Sequence, residues 1–124
     1  MKALIEAINS KYSHASLPLS FHVVDASQKL PYCLFFFINS SPEYSFNSVS
    51  EETEIQFSVF AKTGTAVMEF MSDIKGIYDD CELTVAGYEF VKMERLITTS
   101  FQNDHDDGSW HGVVTYKVIL HKEL

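Results

Sequence analysis

Two long strand-forming runs close the sequence, Tyr88 to Phe101 and about Trp110 to Lys122, with the polar stretch Asn103-Asp104-His105-Asp106-Asp107-Gly108 between them. β-Branched and aromatic residues suit extended backbone, and an Asp-Gly pair supplies a tight reversal, so the two runs form a long hairpin. Side chains alternate along a strand, which puts Trp110, Val114, Tyr116, Val118 and Leu120 on one face. A face that apolar needs cover. The cover is legible upstream, where Val67, Phe70, Met71, Ile74, Ile77 and Tyr78 recur at helical spacing behind Thr63 and Thr65, either of which can cap the helix.

The remaining elements follow from the same two periods. Ile55, Phe57, Val59 and Ala61 alternate with Glu54, Gln56 and Ser58, the pattern of a half-buried strand, and Phe60 interrupts its polar side. Leu4, Ile5, Ile8 and Tyr12 share one face of a short amphipathic helix over Lys2 to Tyr12. Phe21 to Asp25 reads as a short strand, and Leu83 to Val85 as a brief pairing before the turn at Gly87. The run Tyr32 to Ile38 is apolar on both faces, so it is central or covered on both sides, a neighbouring subunit being one source of that cover. Asn39 to Ser50 is rich in Ser and Asn, contains Pro42, and reads as a long loop that is mobile or meets a partner. Helix, strands, helix and hairpin in that order predict one α+β domain over 1–124, an antiparallel sheet with a long C-terminal hairpin and two helices packed on it.

Composition narrows the function. At 124 residues the chain is long enough for a core without metal or disulfide support. Nine Lys and Arg stand against 17 Asp and Glu, a formal charge of −8, which disfavours nucleic-acid and anionic-membrane binding. Cys33 and Cys81 lie singly in separate apolar segments and read as free core cysteines of a reducing compartment. No apolar run approaches the roughly 20 residues of a spanning helix, and the start of the chain does not read as a signal peptide.

Catalytic patterns are absent from the sequence. The Asp-rich turn fails as a calcium loop: aligned on Gly108, its twelfth position would be Val114 where Glu is needed. The five histidines form no HxH or HExxH set, and no GxSxG, GxGxxG or P-loop lysine occurs. The reading is therefore a chain that is not an enzyme and has no cofactor. Its distinctive feature is charge layout. No Lys or Arg occurs between Leu30 and Ala61, where Glu43, Glu51, Glu52 and Glu54 lie, or between Leu96 and Tyr116, where Asp104, Asp106 and Asp107 lie.

Four features together resemble the tail-completion proteins of long-tailed phages and prophages, also called tail terminators or head-to-tail joining proteins. These are the short N-terminal helix, Leu30-Pro31-Tyr32-Cys33-Leu34 opening an early strand, Ile55-Gln56-Phe57-Ser58-Val59-Phe60 ahead of the amphipathic helix, and Asp106-Asp107-Gly108-Ser109-Trp110-His111-Gly112-Val113-Val114 entering the last strand. The triple Phe35-Phe36-Phe37 and the Ser/Asn-rich segment after it depart from the family's usual look. The resemblance implies a structural virion subunit at the head-tail junction, made in the host cytoplasm. It would assemble as a ring, commonly a hexamer, between the tail tube protein and the head connector or stopper protein, and pass DNA without binding it specifically. No catalytic residue accompanies that role. On this reading Phe35, Phe37, Tyr44, Phe46, Asp104, Asp106, Asp107 and Trp110 are interface candidates, and Glu51, Glu52 and Glu54 are candidates to line the channel. A different class of function also fits the same elements: a small-molecule or peptide binding module with the Phe-rich strand lining an aromatic pocket.

Overall fold

A computed structural model describes residues 2–14, 16–22, 29–44, 48–104 and 109–123, with the backbone alone considered at 39–44, 48–49, 97–104 and 123. In chain order the elements are α1 (Lys2–Lys11), β1 (Leu19–Phe21), β2 (Tyr32–Tyr44), β3 (Ser48–Ala61), α2 (Gly64–Tyr78), β4 (Glu82–Leu83), β5 (Phe90–Asp104) and β6 (Ser109–Glu123). The strands make one six-stranded sheet in the order β1-β2-β3-β6-β5-β4. The class is α+β, as the periodicities predict, but the sheet is mixed. Its central pairs are antiparallel, while β1 lies parallel to β2 with Leu19 beside Cys33 and Phe21 beside Phe35. A three-residue edge strand carries too little pattern to reveal its direction.

Two other expectations change. Of the strand expected at Phe21 to Asp25, Phe21 ends β1, which begins earlier at Leu19; His22 follows at φ 73°, and Val23 to Asp25 lie outside the described residues. The expected loop Asn39 to Ser50 is strand wherever it is described: β2 continues to Tyr44 and β3 begins at Ser48. Register explains this. Ser40, Ser41, Pro42 and Glu43 lie opposite Thr53, Glu52, Glu51 and Ser50, so the ladder satisfies backbone groups that composition alone would leave to solvent. An irregularity between Phe37 and Asn39 shifts the register there.

The two helices cover one face of the sheet. Alternation turns Cys33, Phe35, Ile55, Phe57, Val59, Val114, Tyr116, Val118, Val91 and Met93 toward them, and all are buried. From α2 come Val67, Met71, Ile74 and Tyr78, and from α1 Leu4 and Ile8. Thr63 caps α2, its hydroxyl accepting from the Ala66 amide at 3.1 Å. The closest approach of helix to sheet is at Gly112 of β6. A Cβ there would lie 2.6 Å from Val67 Cγ1 and closer still to Met71 Sδ. Only glycine lets the helix settle this deeply.

Rings fill the centre. Phe21, Phe35, Phe57 and Tyr78 succeed one another at centroid separations of 5.1, 5.7 and 4.7 Å, and Tyr116 meets Phe57 edge-on at 5.8 Å. Each buried phenol ties down a neighbouring segment. Tyr78 donates to Ile8 O at 2.8 Å, Tyr116 to Asp79 Oδ1 at 2.6 Å, and the half-buried Tyr12 to Leu17 O at 2.5 Å. Burial, ahead of nearby negative charge, holds all three phenols well above the ordinary tyrosine value near 10. Phe70, expected in the core, is only half-buried and borders His14 at 5.5 Å.

Phe57→Ala is expected to cost about 3 to 5 kcal/mol in urea unfolding, and Phe70→Ala about 1 kcal/mol; equal losses would contradict the arrangement. Gly112→Ala is expected to cost about 1 to 3 kcal/mol by forcing α2 outward. Because the three phenols are raised in the folded state, their stabilisation is complete below the ordinary tyrosine value and lost as pH climbs above it. Phenolate absorbance in an alkaline titration should therefore show Tyr12, Tyr78 and Tyr116 ionising together with unfolding, whereas their ionisation in a still-folded chain would refute their burial.

Candidate assembly surfaces

With both helices on one side, the other face of the sheet carries no covering element among the described residues. It has two halves. Toward the β5–β6 turn it is aromatic and apolar: Tyr32, Phe60 and His111 form a row across β2, β3 and β6 at centroid separations of 5.0 and 4.4 Å. Leu34, Phe36 and Val113 share this face half-buried, and Ile38 is 49% exposed. Phe60, the residue that interrupts the polar side of the β3 pattern, is thus a member of a row.

Toward the β2–β3 turn the same face is charged. Lys117 of β6 lies between Glu54 of β3 and Glu94 of β5 in register, and its Nζ is 3.2 Å from Glu52 Oε1. Lys92 is 3.9 Å from Glu94. At the end of the face His121 accepts or donates at Nδ1 with Ser50 Oγ at 2.9 Å, has Nε2 3.8 Å from Glu89, and is stacked by Phe90 at 5.0 Å. Of the acidic stretch that looks uncompensated along the sequence, Glu52 and Glu54 therefore have a lysine beside them across the sheet.

The three candidate channel acids separate. Glu52 and Glu54 share the uncovered face, but Glu51 points to the helix side, where it accepts from the Tyr88 hydroxyl at 3.4 Å. Alternation makes this unavoidable for adjacent strand residues. The partial burial of Tyr88 and the Glu51 charge raise that phenol's pKa.

The interface candidates separate as well. Phe35 is wholly buried between Phe21 and Phe57 and offers no surface to a partner. Phe37 and Trp110 also turn to the helix side and pack partly buried against the core. Tyr44 and Asp104 end β2 and β5, with only their backbone described, and Phe46, Asp106 and Asp107 lie outside the described residues. Of the Phe-rich strand invoked by the alternative pocket reading, Phe35 and Phe37 line the core and Phe36 faces the uncovered side. A shallow groove lies elsewhere, between α1 and β4, bordered by Ala3, Glu6, Ala7, Lys11, Glu82 and Thr84. The row at Phe60, the cross-strand role of Lys117 and this groove were not legible in the sequence, because each joins residues from different strands or from α1 and β4.

Among the described residues no group of three or more His, Cys, Asp or Glu is placed to hold a metal, and no helix is long and apolar enough to cross a membrane. Cys33 and Cys81 are buried and free, and burial pushes both thiols up.

No protein-family model matches the chain, and no curated protein matches it in sequence. In structure it is similar to a chain of a solved assembly described as the virion of native gene transfer agent (GTA) particle. The TM-score is 0.74 at 8% sequence identity, over 97% of this chain and 96% of that chain. At that identity the likeness is one of fold, and it runs from end to end.

Exchange of the Lys117 charge tests the compensated half of the face. Lys117→Glu leaves Glu52, Glu54 and Glu94 facing a like charge, and a stability loss of about 1 kcal/mol that shrinks in high salt is expected from thermal melts at two ionic strengths. A salt-independent loss would mean that Lys117 acts through packing alone.

Proposed function

We propose that this chain is a structural subunit of a phage-like virion, and within it a tail-completion protein that forms a ring, six-fold in the family it resembles, between the tail tube protein and the head connector. The observation that carries the reading is the end-to-end fold likeness to a chain of the gene transfer agent virion, with almost nothing added or lost in either chain. The sequence resemblance to tail-completion proteins points the same way through different features, the order and flavour of the elements. The role asks for no catalytic residue or cofactor. It asks for a surface that repeats around an axis and for a lumen wall that DNA does not grip.

The uncovered sheet face is the proposed lumen wall. Glu52, Glu54 and Glu94 outnumber Lys92 and Lys117 on it, so its field is only mildly negative and its ammonium groups already have carboxylate partners. Such a wall gives DNA no counterion release to gain. Cross-strand pairing of its charges, more than acidity, thus keeps this face from gripping DNA. Glu51 drops out of the lining, and Tyr44 and Asp104, which end β2 and β5, together with Phe46, Asp106 and Asp107, which follow them in sequence, remain candidates for contact with the connector.

Light scattering on the eluting protein across a range of concentrations, with negative-stain imaging, tests the ring. Closed rings of a fixed subunit number are expected; a monomer at every concentration would overturn the reading. The double variant E52K and E54K should still form rings but bind duplex DNA at low salt and release it as salt rises. Rings of that variant that ignore DNA would place the lumen on another face.

A further inference from the structure

We infer that neighbouring copies join edge to edge, the β1 strand of one entering the groove between α1 and β4 of the next so that the two sheets continue into each other. The inference rests on the ring reading and names its joint.

Hydrogen-bond phase supplies the first argument. In β4, Cys81 O accepts from the Met93 amide and Leu83 lies opposite Val91, so residues 81 and 83 bond inward to β5. Antiparallel pairing then turns the backbone groups of Glu82 and Thr84 outward, into the groove. At the opposite edge Pro18 O accepts from the Cys33 amide and the His22 amide donates to Phe35 O, so positions 18 and 22 bond inward to β2. The backbone groups of Leu19 and Phe21 are turned outward. Each edge therefore presents two residues, spaced by two, with donor and acceptor facing away from its own sheet. Such edges template a further strand.

Direction agrees. β1 runs parallel to β2, and four successive antiparallel pairs lead from β2 to β4, so β1 and β4 point the same way. A copy rotated about an axis roughly along the strands brings its β1 beside β4 as a parallel pair and keeps both helices on the same side. A heterologous contact of this kind closes a ring when its rotation closes.

Side-chain size and charge fit the same pairing. Leu19 and Phe21 turn to the helix side of their own sheet, where they pack partly buried at its edge. In the neighbour they would meet the helix side of the β4 edge, where α1 offers Ala3, Ala7 and Ser10, one turn apart along a face. Large apolar groups thus face small ones. The groove is flanked by Glu6, Lys11 and Glu82, and the segment from Tyr12 to Val24 that carries β1 holds no acidic residue in a chain of charge −8. The joint therefore avoids the like-charge repulsion that most other pairings of this surface would meet.

Ser20 and Thr84 would lie near each other across the joint on the face away from the helices, which makes them the reporters. The full-length double variant S20C/T84C, mildly oxidised, should give a ladder of disulfide-linked oligomers up to the ring number on a non-reducing gel, while S20C or T84C alone stops at dimers. The native Cys33 and Cys81 are buried and should not contribute. Thr84→Pro removes an outward donor and Ala86→Trp fills the groove, both at exposed positions; each should turn rings into monomers that still unfold cooperatively. Rings that form in the wild type but yield no ladder, and that survive both groove variants, would overturn the edge joint while leaving the ring intact. A wild type that never assembles would instead remove the ring reading and the joint with it.

Discussion

The contact between α2 and the sheet at Gly112 decides the rest of the structure. Where β6 lacks a side chain, Val67 and Met71 come close enough to seat the helix on the strand. That depth brings Tyr78 into stacking distance of Phe57 and lets Phe57 sit at the crossing of two ring contacts, one along the sheet and one up to the helix. The three phenol hydrogen bonds then fasten α1, the segment after it and the end of α2 to the same centre. All of this stabilisation lies on one side. A sheet so well anchored on one face can leave the other to an assembly.

The two faces answer different physical demands. On the helix side, dense ring packing and phenols held protonated by burial favour a single rigid arrangement. On the other side, the Tyr32, Phe60 and His111 row and the Lys117 lattice rigidify the surface without covering it. Stacked rings limit rotamer freedom, and cross-strand charges satisfy one another, so the face stays ordered in contact with solvent. Those are the two properties that the proposed lumen wall needs.

How much of this the sequence makes legible depends on the range of the interaction. The helix at Val67 to Tyr78, the strand at Ile55 to Ala61 and the final hairpin are written as local periodicity, and each stands where its pattern puts it. The segment Asn39 to Ser50 misleads because Ser, Asn and Pro favour loops locally, whereas pairing with β3 is a contact between distant residues. Phe35, Phe36 and Phe37 look alike in a row, yet alternation sends the first and third inward and the second outward, so three consecutive rings cannot serve one surface. Within the acidic run, Glu52 pairs with Lys117 on another strand and Glu54 lies beside that lysine in register, which no scan along the chain can see. Gly112 carries no sequence signal of its own. Its meaning appears only when the helix lies over it.

One face of the sheet is anchored by helices, and in the proposed ring the other turns toward the axis; an electron cryo-microscopy reconstruction of the assembled particle at side-chain resolution would show which way the sheet faces. Density for α1 and α2 is expected on the outside of the ring, with Glu52, Glu54 and Lys117 bordering the lumen. A map with the helices lining the lumen, or with the Tyr32, Phe60 and His111 row buried against a neighbouring sheet face, would contradict it.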